Sequence, residues 1–130
     1  KPPSQSDELK THIRSVTKYI LENVKKLESL PKIRIIKNDE ENAADFFGKT
    51  AYYNPSEKLI VLYTKGRHNK DITRSYTHEM IHFMQDIENR LNNINTENTT
   101  ESDYLQEIEK EAYEQGNIIF RNWEDNVKNG

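Results

Sequence analysis

A chain of 130 residues with 33 % hydrophobic and 32 % charged residues holds one domain with a small core and has no room for two ordinary ones. Its net charge of −3 is spread over both signs, which argues against nucleic acid or membrane as a partner, and no apolar run nears the roughly 20 residues of a membrane span. The chain has no cysteine, which excludes disulfide scaffolds, thiolate metal sites and cysteine nucleophiles and fits a reducing cytoplasm.

Residues 1–6, Lys1-Pro2-Pro3-Ser4-Gln5-Ser6, read as a flexible lead without a hydrophobic signal region, with Ser6 as a helix cap. Leu9, Ile13, Val16, Ile20, Val24 and Leu27 recur at helical spacing, so a helix is expected over 7–29, closed by Pro31. The β-branched run 33–36 predicts a strand, and the acidic segment 38–47 is either a short helix or a loop. Residues 49–53 and 58–64 flank Asn54-Pro55-Ser56-Glu57, which predicts a β-hairpin. Its second arm is apolar on both faces, as a covered strand would be.

A helix over 71–91, capped by Asp71, carries Tyr76, Met80, Phe83, Met84, Ile87 and Leu91 on one apolar arc. His78, His82, Gln85 and Asp86 fall on the opposite side, pointing into an expected cleft, with Glu79 at the boundary. Residues 92–103 read as a mobile polar link. A last helix over about 103–127 buries Leu105, Ile108, Ala112, Ile119, Trp123 and Val127. The fold class is therefore α+β: an N-terminal helix, a small, mostly antiparallel sheet, and two helices that clasp a site.

His78-Glu79-Met80-Ile81-His82 has the H-E-x-x-H form. Residues four apart share a helix face, so both imidazoles can reach one ion, and the intervening carboxylate sits about a hundred degrees round the helix, within reach of a water there. A catalytic zinc takes three protein ligands and leaves one position open. Gln85 and Glu88 stand where the extended metzincin pattern needs Gly and His, which excludes that arrangement. His12 reads as structural and His68 as a loop residue near the cleft, so the third ligand is sought among carboxylates. Glu107, Glu109 and Glu111 on the last helix are the candidates; Glu107 and Glu111 share a face, and Glu109 lies closer to the buried stripe, where a carboxylate needs a partner.

With Glu109-Lys110-Glu111-Ala112 following one helix later, the motif resembles the gluzincin zinc peptidases, above all their compact minigluzincin and ImmA/IrrE-type forms. The resemblance spans about residues 33–120 as an order of elements and is specific only in the two motifs. It implies that Glu111, the Glu before Ala, is the third ligand beside His78 and His82, that one Zn2+ is bound per chain, and that Glu79 is the general base and proton shuttle. It also implies that the strand before the motif helix, Leu59 to Thr64, aligns an extended peptide or protein substrate by edge pairing. Its Asp four residues after the ligand Glu is replaced by Gln115, and no His follows His82 to stabilise the oxyanion, which leaves Tyr104, Tyr113, Arg74 and Arg121 as candidates. A zinc metallopeptidase is therefore expected. The alternative is a metal-binding gluzincin that cleaves nothing, latent or degenerate, and acts on a protein partner.

Overall fold

The computed structural model describes residues 5–37, 50–91 and 99–129, so the expectations for 38–47 and for most of the 92–103 link lie outside the described residues. Helix α1 spans Gln5–Asn23, taking in two residues expected in the lead. It presents Leu9, Ile13, Val16 and Ile20 to the core, with Asp7 and Glu8 in its first turn, where carboxylates suit the helix dipole. It stops six residues before the expected end. The amides of Val24 and Lys25 both reach the Ile20 carbonyl, Val24 is exposed, and Leu27 meets the core from the following loop. The helical spacing of apolar residues thus continues past the helix itself.

Strands β1 (Lys32–Ile36), β2 (Ala51–Asn54) and β3 (Leu59–Tyr63) form one sheet in the order β1-β3-β2. The expected hairpin is present: β2 and β3 are antiparallel around a turn in which the Asn54 side chain accepts the Ser56 amide and Lys58 takes the left-handed φ of 52°. β1, however, runs parallel to β3. The sheet is mixed rather than mostly antiparallel. The reason lies in the connection: β1 and β3 are separated in sequence by residues 37–58, which include β2, and only a tight turn obliges neighbouring strands to reverse. Ile60, Val61 and Leu62 are fully buried, as the two-faced apolar pattern required.

Helix α2 (Asn69–Ile87) begins earlier than expected, with His68 at its N-cap and Asp71 inside the first turn. It ends at Ile87, where Asn89 adopts a φ of 62° and breaks the helical path. Helix α3 (Thr99–Asn129) takes in residues 99–103, which had been assigned to the mobile link. α2 is the central element, in contact with α1, β2, β3 and α3. Tyr76, Met80 and Phe83 join Ile60, Leu62 and the α1 stripe on one side, and Ala112, Ile119, Phe120 and Trp123 of α3 close the other. His12 packs edge-on against Trp123, whose indole N–H donates to Ser15, so His12 is structural as read. No helix among the described residues is long and apolar enough to cross a membrane.

Candidate metal centre

The site follows from how closely α2 and α3 approach. A Cβ on Gly116 would lie 3.0 Å from His78 Cα and 3.1 Å from its amide nitrogen, so a larger residue would force the helices apart by a few tenths of an ångström. The buried Thr77 hydroxyl lies 3.0 Å from the Gly116 carbonyl and ties the helices at the same level. The two helices run in opposite senses, and Glu109, about two turns before Gly116, is thereby carried to the histidines.

His78 and His82 lie with ring centroids 5.0 Å apart, and their Nε2 atoms face one carboxylate. Glu109 Oε1 is 3.0 Å from His82 Nε2, and Oε2 is 3.5 Å from His78 Nε2. The structure does not bring Glu111, the expected third ligand, to the histidines. Glu111 is turned away, its carboxylate clasped by both Arg90 guanidinium nitrogens at 2.6 and 3.1 Å and by the Gln85 amide at 3.0 Å. A carboxylate already holding three charge-assisted or amide donors has little left to give an ion. Those partners, Arg90 first, also hold its pKa below the usual carboxylate range. Glu109 is instead largely exposed at the mouth of the site, and not buried as its place near the apolar stripe would suggest.

Atoms of His78, Glu79 and His82 able to bind a metal lie within 4.8 Å of one another, and this group can hold a metal ion. Glu109 places one carboxylate oxygen 3.0 Å from His82 Nε2 and the other 3.5 Å from His78 Nε2, near the roughly 3.3–3.5 Å that separates neighbouring ligands of a tetrahedral ion. Glu79 is buried beside the pair, and burial, followed by the nearby Glu109 charge, pushes its pKa up to about 8. Burial and the neighbouring His82 lower the pKa of His78, which favours the neutral form that binds metal.

Behind His82 stands Gln85, which shares the histidine face of α2. Gln85 is 1 % exposed, and its Oε1 lies 2.8 Å from His82 Nδ1. Its amide nitrogen donates to the Ile108 carbonyl at 3.1 Å as well as to Glu111. Gln115, the position from which the resemblance implied support for a histidine, is exposed on α3. Asp86, also expected in the cleft, is buried: it accepts from the Tyr53 hydroxyl at 2.6 Å and pairs with Lys58, pinning the hairpin to α2. The polar face of α2 is therefore divided between a cleft and two anchoring contacts. Gly116, Arg90 and the Asp86 partners were not singled out from the sequence; the one signal available was a glycine inside a long helix, which asks for a packing reason.

The histidines and Glu79 form the floor of an open cleft of about 610 Å³. Ala51, Tyr52 and Tyr53 of β2 line one wall, and Ile108, Glu109 and Tyr113 of α3 line the other. The edge-pairing role given to Leu59–Thr64 is also corrected: β3 is the central strand, paired on both sides, and has no free edge to offer. Among the described residues β2 pairs with β3 alone, and it is β2 that borders the cleft. Of the four oxyanion candidates, Arg74 and Tyr113 line the cleft; Arg121 does not, and the Tyr104 hydroxyl is committed to the Arg90 carbonyl. His68 stays at the α2 N-cap and is not among the cleft residues. No protein-family profile, curated protein or solved structure matches this chain.

Proposed function

We propose that the protein is a zinc-dependent peptidase, and that His78, His82 and Glu109 hold the metal. The single observation that carries this is the convergence of two Nε2 atoms and one carboxylate, at 3.0 and 3.5 Å, with a buried Glu79 beside them on the floor of an open cleft. The donor set, two imidazoles and a carboxylate, is the one that catalytic zinc sites use while leaving a fourth position free. Zinc, when bound, supplies Lewis acidity that polarises a carbonyl and brings the pKa of water down to about 7.

The remaining steps belong to the chain. Glu79 takes the proton of the attacking water and delivers it to the leaving amine; an environment that raises its pKa suits a group that must both accept and release a proton near neutrality. The edge of β2 turned away from β3 binds the substrate backbone as an added strand, and the apolar wall of Ile108 and Leu105 receives side chains. Of the expected oxyanion candidates, Arg74 and Tyr113 line the cleft and can donate a hydrogen bond to the carbonyl oxygen as charge develops on it.

Metal analysis of purified protein should give about one zinc per chain. Peptide-library cleavage should appear with the wild type and vanish in Glu79→Gln. A folded protein that takes up no zinc overturns the proposal. Zinc uptake without cleavage by the wild type overturns the peptidase activity and leaves a metal-binding module that acts through a protein partner.

A further inference from the structure

The hydrogen bonds behind His82 determine which of its nitrogens carries a proton. Two groups face one end of the Gln85 side chain, the Ile108 carbonyl at 3.1 Å and Glu111 Oε1 at 3.0 Å. Neither can donate: the first is a carbonyl, and the second is an ionised carboxylate gripped at both oxygens by Arg90. Only the amide –NH2 satisfies both, so the orientation of Gln85 is not free. Its carbonyl oxygen must then be the atom 2.8 Å from His82 Nδ1, and an acceptor at that place requires an N–H.

We propose that Gln85 is a positioning residue that holds His82 as the Nδ1–H form, and that Glu111 and Arg90 are the fixed end of the chain that orients it. Nε2 is thereby left to face Glu109 Oε1 at 3.0 Å, a contact that a metal ion between the two would make favourable. A neutral imidazole without such a partner distributes its proton between both nitrogens and rotates, so each metal-binding event would first have to select tautomer and rotamer. In the metal-free protein Gln85, buried and 2.8 Å from Nδ1, competes for that proton with Glu109, which is 3.0 Å from Nε2 but largely exposed and solvated. Burial gives the device its strength: Gln85 is 1 % exposed, so water does not compete for its amide. This also gives Glu111 a function that its distance from the histidines would otherwise leave unexplained. The effect on metal affinity rests on the zinc-site proposal above; the effect on the imidazole proton does not.

The test has two readouts. Ring 15N NMR of the metal-free protein, at a pH where His82 is neutral, should show its proton on Nδ1; in Gln85→Met the proton should redistribute towards Nε2. Zinc affinity, measured by competition with a chelator, should fall by about 10–100-fold in the same variant, the usual cost of removing a partner behind a ligand. Should Gln85→Met not fold, Arg90→Met, which frees the end of the chain, should show a smaller change in the same direction in both readouts. An Nδ1 proton and zinc affinity that are both unchanged in Gln85→Met or Arg90→Met would overturn the proposal. A wild type that binds no zinc refutes the zinc site alone, and the ring proton still decides the role of Gln85.

Discussion

Glu109 and Glu111 stand two residues apart on one helix and do opposite things. Glu109 lies at the cleft mouth, largely exposed, facing two imidazoles that an ion could bridge to it. Glu111 sits behind the same histidines with its charge neutralised by Arg90 and its geometry fixed by Gln85. The difference shows how the α2–α3 junction is divided. On the cleft side, groups are held close together with bonding capacity to spare; on the anchored side every group is satisfied. Chemistry should therefore respond to substitutions on the first side, and stability to substitutions on the second.

The sharpest separation is expected at Glu79. Glu79→Gln should retain zinc and lower peptide turnover by about 10²–10⁴-fold, the usual contribution of a positioned general base. The same substitution should alter stability in one direction only. The pKa of Glu79 rises from 4.5 to about 8 on folding, so the folded state holds its proton more tightly than the unfolded chain does. The associated stability is fully present below pH 4.5 and is lost as pH rises through about 8. Melting curves of the metal-free wild type should thus fall across that window, and those of Glu79→Gln should fall less. A parallel decline in both proteins would place the origin elsewhere.

Glu109→Ala should come next, with zinc affinity reduced by at least the roughly 10–100-fold typical of a lost partner behind a ligand, because here the ligand itself is removed. Its melting temperature without metal should hold or rise, since a carboxylate that raises the pKa of Glu79 is gone. Glu111→Ala should show the reverse balance. Arg90 loses its carboxylate and the buried Gln85 amide one of its two acceptors, so stability falls and zinc affinity follows more weakly. Equal losses of zinc in the two variants, with equal stability, would break the division between the two sides.

Gly116→Ala probes what brings the two sides together. Its Cβ would meet backbone atoms at 3.0 and 3.1 Å, and backbone cannot rotate out of the way. Overpacking of this kind costs about 1–3 kcal/mol, against about 1 kcal/mol that alanine regains in helix propensity, so a net loss is expected. Zinc affinity should drop as well, because moving α3 outwards draws Glu109 away from His78. Chemical denaturation beside chelator competition checks both.

The same helix pair shows where the sequence was legible and where it was not. The H-E-x-x-H spacing placed His78, Glu79 and His82 on one region of α2 without any tertiary information, since helix geometry alone sets those positions. The α+β class and the hairpin followed from the apolar patterning and the Asn54-Pro55 turn in the same way. Which of Glu107, Glu109 and Glu111 meets the histidines was not legible, because that depends on the depth and rotation at which α3 docks. Gly116 fixes both, through a contact 38 residues away in sequence from His78. The parallel pairing of β1 with β3 was hidden for a similar reason, as strand patterning reports burial and carries no direction. The helix ends erred where a loop residue such as Leu27 imitated the helical spacing.

The smallest expected effect lies at the far end of the anchored side. Tyr53 belongs to both regions: its ring borders the cleft, and its hydroxyl donates to the buried Asp86 at 2.6 Å. Tyr53→Phe keeps the ring and its edge contact with Phe83 and removes only the hydroxyl. Asp86 retains Lys58, but the Lys58 side chain is half exposed, so solvent screens its charge and it makes up only part of the loss. A hydrogen bond to an ionised group is worth about 1.5–3 kcal/mol, and with one partner remaining the expected loss of stability is about 1–2 kcal/mol. Zinc affinity should not change, because the contact anchors β2 and reaches neither histidine. Peptide binding should weaken slightly, since β2 is the strand on which the substrate would align. Urea denaturation, zinc titration and KM measured together test this: a KM unchanged despite the loss of stability would show that the hairpin is anchored for the sake of the fold and that substrate does not read its position.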